Sequence, residues 1–159
     1  MTASEEEYVH YVECIDSLNR AWRILQELRA IEPKSGLHAM AFSFALIEYA
    51  KPYCRSDGTL KKGKNAYKLP PPDLPAEYLN LHQQILDLRD QVLAHSDLTL
   101  KEAKVYIPPY PGRPTVASNR PPSLPDGEAV VALIERTLEK MYLERERLIK
   151  ALSTRQGRR

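Results

Sequence analysis

The chain has 159 residues, 43% of them hydrophobic and 28% charged, with a formal net charge of +2. That length suits one domain with a core large enough to stand without disulfide or metal staples. So small a net charge gives no ground for a nucleic-acid binder on charge alone, and no apolar run reaches membrane-spanning length.

The opening MTASEEEYV is acidic and precedes no unbroken apolar segment, which argues against a secretory signal. Two cysteines, Cys14 and Cys54, sit in helical patterns and are expected to be buried thiols in a reducing cytoplasm. Thirteen clustered prolines are the compositional outlier.

The first helix is expected from Ser4 to about Ile31. Ser4 followed by Glu7 is a capping-box pattern, and Glu5, Glu6 and Glu7 complement the helix dipole. Tyr8, Tyr11, Ile15, Leu18, Trp22, Leu25 and Leu28 recur at three and four, with Trp22 as a core anchor. Pro33 breaks the pattern. The second helix starts near Ser35 and ends between Tyr49 and Tyr53. Its centre, HAMAFSFALIEYA, is apolar almost all round and predicts the most buried helix. Glu48 is the only acid within it.

From Arg55 to Pro72 periodicity is lost, leaving a connection of about seventeen residues, long for neighbouring helices and so functional or mobile. Lys61, Lys62, Lys64 and Lys68 in this stretch make either a basic lip for a phosphate backbone or an ordinary solvated loop. A third helix follows, with Pro75 in its first turn, running to Asp97. After it, Ala103–Ile107 and Thr115–Ala117 read as short strands that pair across PPYPGRP, a small hairpin or a Pro-rich loop. The last helix starts at Asp126, a good N-cap, and continues to about Ala151. Together these elements predict an all-α fold, an up-down four-helix bundle over residues 1–152, with a basic tail at 153–159.

The third helix holds the anomaly. Leu79, Leu81, Ile85, Leu86, Leu88, Val92 and Leu93 form a wide apolar arc, yet His82 and Arg89 lie within it and His95 at its edge. A guanidinium aimed at a core is costly unless paired, and Glu48 is the expected partner. Arg89 and His95 point about 120° apart on a regular helix, so a site built from them needs two copies of the helix across a two-fold axis. Such a grouping suits metal-free RNA cleavage: histidine moves a proton near neutral pH, and arginine stabilises charge on a phosphate. No phosphate loop, serine elbow, or HExxH or CxxC metal spacing is present, and no cofactor is indicated. His10, His38, His82 and His95 are too scattered to define a metal site.

LDLRDQVLAHSD, with His82 before it, resembles the signature of HEPN-domain proteins, and RDQVLAH is similar to the RDxxxAH form of the abortive-infection subgroup. The resemblance rests on Leu86 to Asp97 and on the helical layout. It implies a homodimer with a composite site, and in many members a metal-independent endoribonuclease acting as a toxin or phage-defence effector. It also implies an antitoxin or nucleotidyltransferase partner and RNA as substrate. On that resemblance Arg89 and His95 are the catalytic pair, Asp90 is the polar residue beside the arginine, and His82, Ser96 and Glu48 support the cleft. Other HEPN proteins are non-catalytic modules that bind a nucleotide or a protein, which is the competing expectation. A metal-dependent helical enzyme is the remaining one.

Overall fold

Thr2, not Ser4, opens the first helix. A computed structural model describes residues 1–33, 35–63, 66–90, 104–107, 113, 115–117 and 124–156. In it α1 spans Ala3–Leu28, with Thr2 Oγ1 accepting from Glu5 N at 3.3 Å and Glu5 Oε2 accepting from Thr2 N at 2.6 Å. Two capping boxes overlap in this sequence, Thr2 with Glu5 and Ser4 with Glu7. The earlier one lengthens the helix and adds backbone hydrogen bonds such as Glu6 N to Thr2 O.

Ser35 caps α2 (Gly36–Ala50) by accepting from His38 N at 3.1 Å. Lys51–Tyr53 then tighten into a 3-10 turn, with Pro52 where a backbone donor is not required. Helix α3 (Ala76–Leu88) follows Pro75, whose carbonyl accepts from Tyr78 N and Leu79 N. Beyond it Arg89 and Asp90 continue in wider π-type turns, a geometry that recurs at functional sites. Strands β1 (Lys104–Tyr106) and β2 (Thr115–Ala117) pair antiparallel, Val105 opposite Val116. Helix α4 (Gly127–Gln156) begins where Asp126 Oδ1 accepts from Ala129 N at 2.9 Å. It runs past the expected end near Ala151, so residues 153–156 of the basic tail are helical.

The structure is mostly helical. Helix α1 packs most extensively, against α2 and α4, and α3 rests on α2 and α4 over a smaller contact. Leu18, Ala45, Leu46, Tyr49, Ile85, Val130, Leu133 and Ile134 are fully enclosed and form one cluster. Each large apolar side chain among them contributes about 1.5–3 kcal/mol by burial. Trp22 packs against this cluster as an anchor, its indole N–H donating to Glu135. Among the described residues no helix is long and apolar enough to cross a membrane.

One sequence expectation fails here. Helix α2 is not buried all round: Leu37 is 59% exposed, Met40 66% and Phe44 51%. These residues recur at three and four along one line of the helix, while Phe42, Ala45, Leu46 and Tyr49 face the core. An apolar composition sets no direction, and only the packing of neighbours decides which side is covered.

Candidate functional site

The long connection after α2 is organised by an acid of the first turn of α1, a position where a carboxylate is expected only to complement the helix dipole. Glu6 is buried, and its carboxylate accepts from the backbone N–H of Thr59, Leu60 and Lys61 and from the Tyr67 hydroxyl. Desolvation pushes its pKa up, but the hydrogen bonds from Leu60, Thr59, Tyr67 and Lys61 outweigh that and hold it below the ordinary carboxylate value. Ser56 and Tyr67 exchange backbone hydrogen bonds, closing the loop, and Gly63 turns it at φ 64°. Gly58 is required for a different reason: a Cβ there would stand 2.7 Å from Glu6 Oε1 and from the Tyr67 ring. The signal was present in the sequence, since Glu6, His10, Cys14, Ser17 and Ala21 share one helical face.

His10 stacks on Tyr67 with centroids 4.5 Å apart, and Lys61 Nζ lies 4.6 Å from the centre of the same ring. Burial and the nearby Lys61 hold the His10 pKa below its usual value. Lys61 and Lys68 face a cleft of about 490 Å³, together with Lys140. Glu7, Asp73 and Glu144 line it too, so its charge is balanced. Lys62 is exposed, and Lys64 lies outside the described residues.

His82 is enclosed within the protomer at 3% exposure. Its Nδ1 lies 2.8 Å from the Tyr49 hydroxyl, and its ring meets Tyr53 edge-on at 4.5 Å. The Tyr49 and Tyr53 rings are tilted against each other with centroids 5.6 Å apart, and the Thr137 hydroxyl donates to the Leu133 carbonyl at 2.8 Å. Burial lowers the His82 pKa and raises those of Tyr49 and Tyr53, so neutral forms are favoured throughout. His82 is thus a satisfied core histidine and offers no surface to a second copy. Cys14 is also buried, which pushes its thiol up to about 12, and Cys54 is half-buried; both are free.

Arg89 does not pair with Glu48. Its Nη1 donates to Asp90 Oδ1 at 2.6 Å, and that bond raises its pKa further. Its side chain is 32% exposed, so the guanidinium is hydrated and not set in a dry core. The Glu48 carboxylate, 2% exposed, instead accepts from Arg20 Nε at 3.0 Å through Oε2 and from Lys51 Nζ through Oε1. Proximity along the folded chain explains the difference: Lys51 is one turn away, and α1 lies against α2.

Arg89 lines a cleft of about 380 Å³ between α1 and the chain from Lys51 to Ser56. Arg20, Lys51 and Arg55 line it as well, with His10, Glu13, Ser17 and Cys54. Of the residues the sequence singled out, Arg89 and Asp90 are adjacent and Glu48 backs the same cleft through Arg20 and Lys51. His82 is elsewhere, in the core. His95 and Ser96 lie outside the described residues. Arg20 and Lys51 were missed because each belongs to a different local pattern and neither is unusual alone, whereas Arg55 opens the loop expected to carry a basic lip. Comparison with protein-family models, curated proteins and solved structures yields no match.

Proposed function

We propose that this chain is a HEPN-like endoribonuclease, a cytoplasmic toxin or phage-defence effector whose helices form an up-down bundle and which acts as a homodimer without a metal ion. In this reading His95 withdraws the proton from a ribose 2′-OH, and the oxygen attacks the adjacent phosphorus. The 5′-oxygen leaves and takes up a proton from water, and His95 returns its proton to the solvent, giving a 2′,3′-cyclic phosphate and a 5′-hydroxyl. Arg89 stabilises charge on the phosphoryl oxygens, and Asp90 steers the guanidinium. The observation that carries the reading is Arg89 at the end of α3, hydrated and facing a cleft with three further cations.

The exposed strip of α2 supports a second copy as the dimer partner. No Asp, Glu, Lys or Arg occurs from Gly36 to Ile47, so two such strips meet without like-charge repulsion. The strip also reaches the cleft: Lys51, which lines it, stands 6.0 Å from the Phe44 ring centre. An antitoxin or nucleotidyltransferase is the hetero-partner that the HEPN resemblance implies.

Expression of wild type against Arg89→Ala and His95→Ala tests the reading. Growth arrest and RNA ending in 2′,3′-cyclic phosphate are expected for wild type alone. Equal fragmentation by folded variants would remove the catalytic assignment. The competing reading is a non-catalytic module that binds a nucleotide or a protein; it predicts no fragmentation by any form, and a stable complex in native mass spectrometry.

A further inference from the structure

We propose that the cleft walled by α1 and the Lys51–Ser56 chain is a phosphate-binding site, in which Arg20, Lys51, Arg55 and Arg89 hold the phosphoryl oxygens and Glu48 positions two of the four. The inference shares Arg89 with the ribonuclease reading but stands without cleavage or His95.

The charge count comes first. Four cations line the cleft against one carboxylate, Glu13. Glu48 is buried behind the wall and divides its single charge between Arg20 and Lys51. Arg55 meets only the edge of salt-bridge distance, 4.0 Å from Asp57, and both are largely exposed. Arg89 shares one nitrogen with Asp90, a solvent-facing pair that binds weakly. The cations thus face the cleft while Glu48, Asp57 and Asp90 lie outside its lining, and the cations' guanidinium and ammonium donors suit tetrahedral oxyanions, which they bind with charge-assisted hydrogen bonds.

Preorganisation comes second. Arg20 is fixed at two points, Nε on Glu48 and Nη2 on Ser17 Oγ at 2.9 Å. Lys51 is held by the other Glu48 oxygen on a 3-10 turn stiffened by Pro52. A buried carboxylate that bridges two cations at the rim of a cleft sets their spacing before a ligand arrives, so less ordering entropy is lost on binding.

The full chain is titrated with inorganic phosphate, a nucleoside diphosphate and a 2′-O-methyl oligoribonucleotide, which lacks the attacking hydroxyl and reports binding alone. Saturable binding that weakens with salt is expected for at least one. Nucleoside diphosphate or phosphate binding as tight as the oligomer identifies a free phosphate ligand. Oligomer binding alone, with a steeper salt slope, identifies the RNA backbone. Lys51→Gln and Arg55→Gln should each weaken binding about tenfold or more, as for a lost hydrogen bond to a charged group. Against the oligomer each should lower the salt slope by about one.

Glu48→Gln separates positioning from charge. It adds net positive charge, so a purely electrostatic cleft would bind tighter, whereas a positioned one binds more weakly. Its fold is checked by circular dichroism, and Arg55→Gln, exposed and outside the Glu48 pair, tests the site if Glu48→Gln does not fold. No binding of any probe at low salt, or unchanged affinity in both Lys51→Gln and Arg55→Gln, would overturn the proposal. Cleavage is not read in any arm, so these outcomes are independent of the ribonuclease reading.

Discussion

Tyr49→Phe removes one oxygen from the centre of the protein and leaves the ring in place. That oxygen lies 2.8 Å from His82 Nδ1, and both residues are enclosed, Tyr49 fully so. The variant loses a net hydrogen bond, about 1 kcal/mol, and strands a buried imidazole nitrogen at about 1–3 kcal/mol more. Relaxation of the surrounding side chains offsets part of this, so the expected loss is about 2 kcal/mol. Against a total stability of about 5–15 kcal/mol that is a large fraction. It corresponds to a drop in Tm of about 4–8 °C for a chain this size. Urea denaturation followed by circular dichroism measures it, with an unchanged slope expected. Tyr11→Phe is the control, since its hydroxyl makes one long bond to the Met141 carbonyl at 3.3 Å in a half-buried setting. A Tyr49→Phe loss no larger than that of Tyr11→Phe would refute the view that this network holds the core.

The same network predicts a pH dependence. His82 is held below its ordinary value of 6.5 by burial, and His10 by burial and then Lys61. Below about 6.5 the unfolded chain takes protons that the fold refuses, so stability falls as pH drops from there toward the folded values. Urea midpoints between pH 7.5 and 5.5 should decline in wild type and decline less in His10→Gln; a flat profile in wild type would remove the assignment. Glu6 acts lower on the scale. Its depressed pKa contributes stability above the unfolded value near 4.5, lost as pH falls through the folded one, and Glu6→Gln should flatten that acid limb and expose Thr59–Lys61 to limited proteolysis. Gly58→Ala should cost about 1–3 kcal/mol in urea denaturation, because the new methyl meets a carboxylate that four donors hold still. If the proposed homodimer forms on this strip, wild type should have the mass of a dimer by light scattering and Met40→Asp with Phe44→Asp that of a folded monomer; a dimeric variant would place the contact elsewhere.

Local chemistry was legible in the sequence wherever one segment settles its own outcome. Asp126 was read as a cap and the second helix was expected to start near Ser35, and both starts hold because a cap bonds to its own next turn. The apolar stripes of α1, α3 and α4 likewise follow from periodicity, and so does the helical class. The N-cap was misplaced by two residues because two capping boxes compete within six residues, and the longer helix won. What the sequence by itself determined is therefore which stretches are helical and that Arg89 lies on the third of them; that α3 gives way to wider turns at Arg89 was not legible there. Only the tertiary structure decided that Glu6 gathers a loop more than fifty residues away, that Glu48 serves Arg20 and Lys51 in place of Arg89, and that Leu37, Met40 and Phe44 are left uncovered. The physical reason is the same for all three. Capping and periodicity act over a few residues, whereas the partner of a buried charge and the cover of an apolar face depend on which distant elements pack beside them.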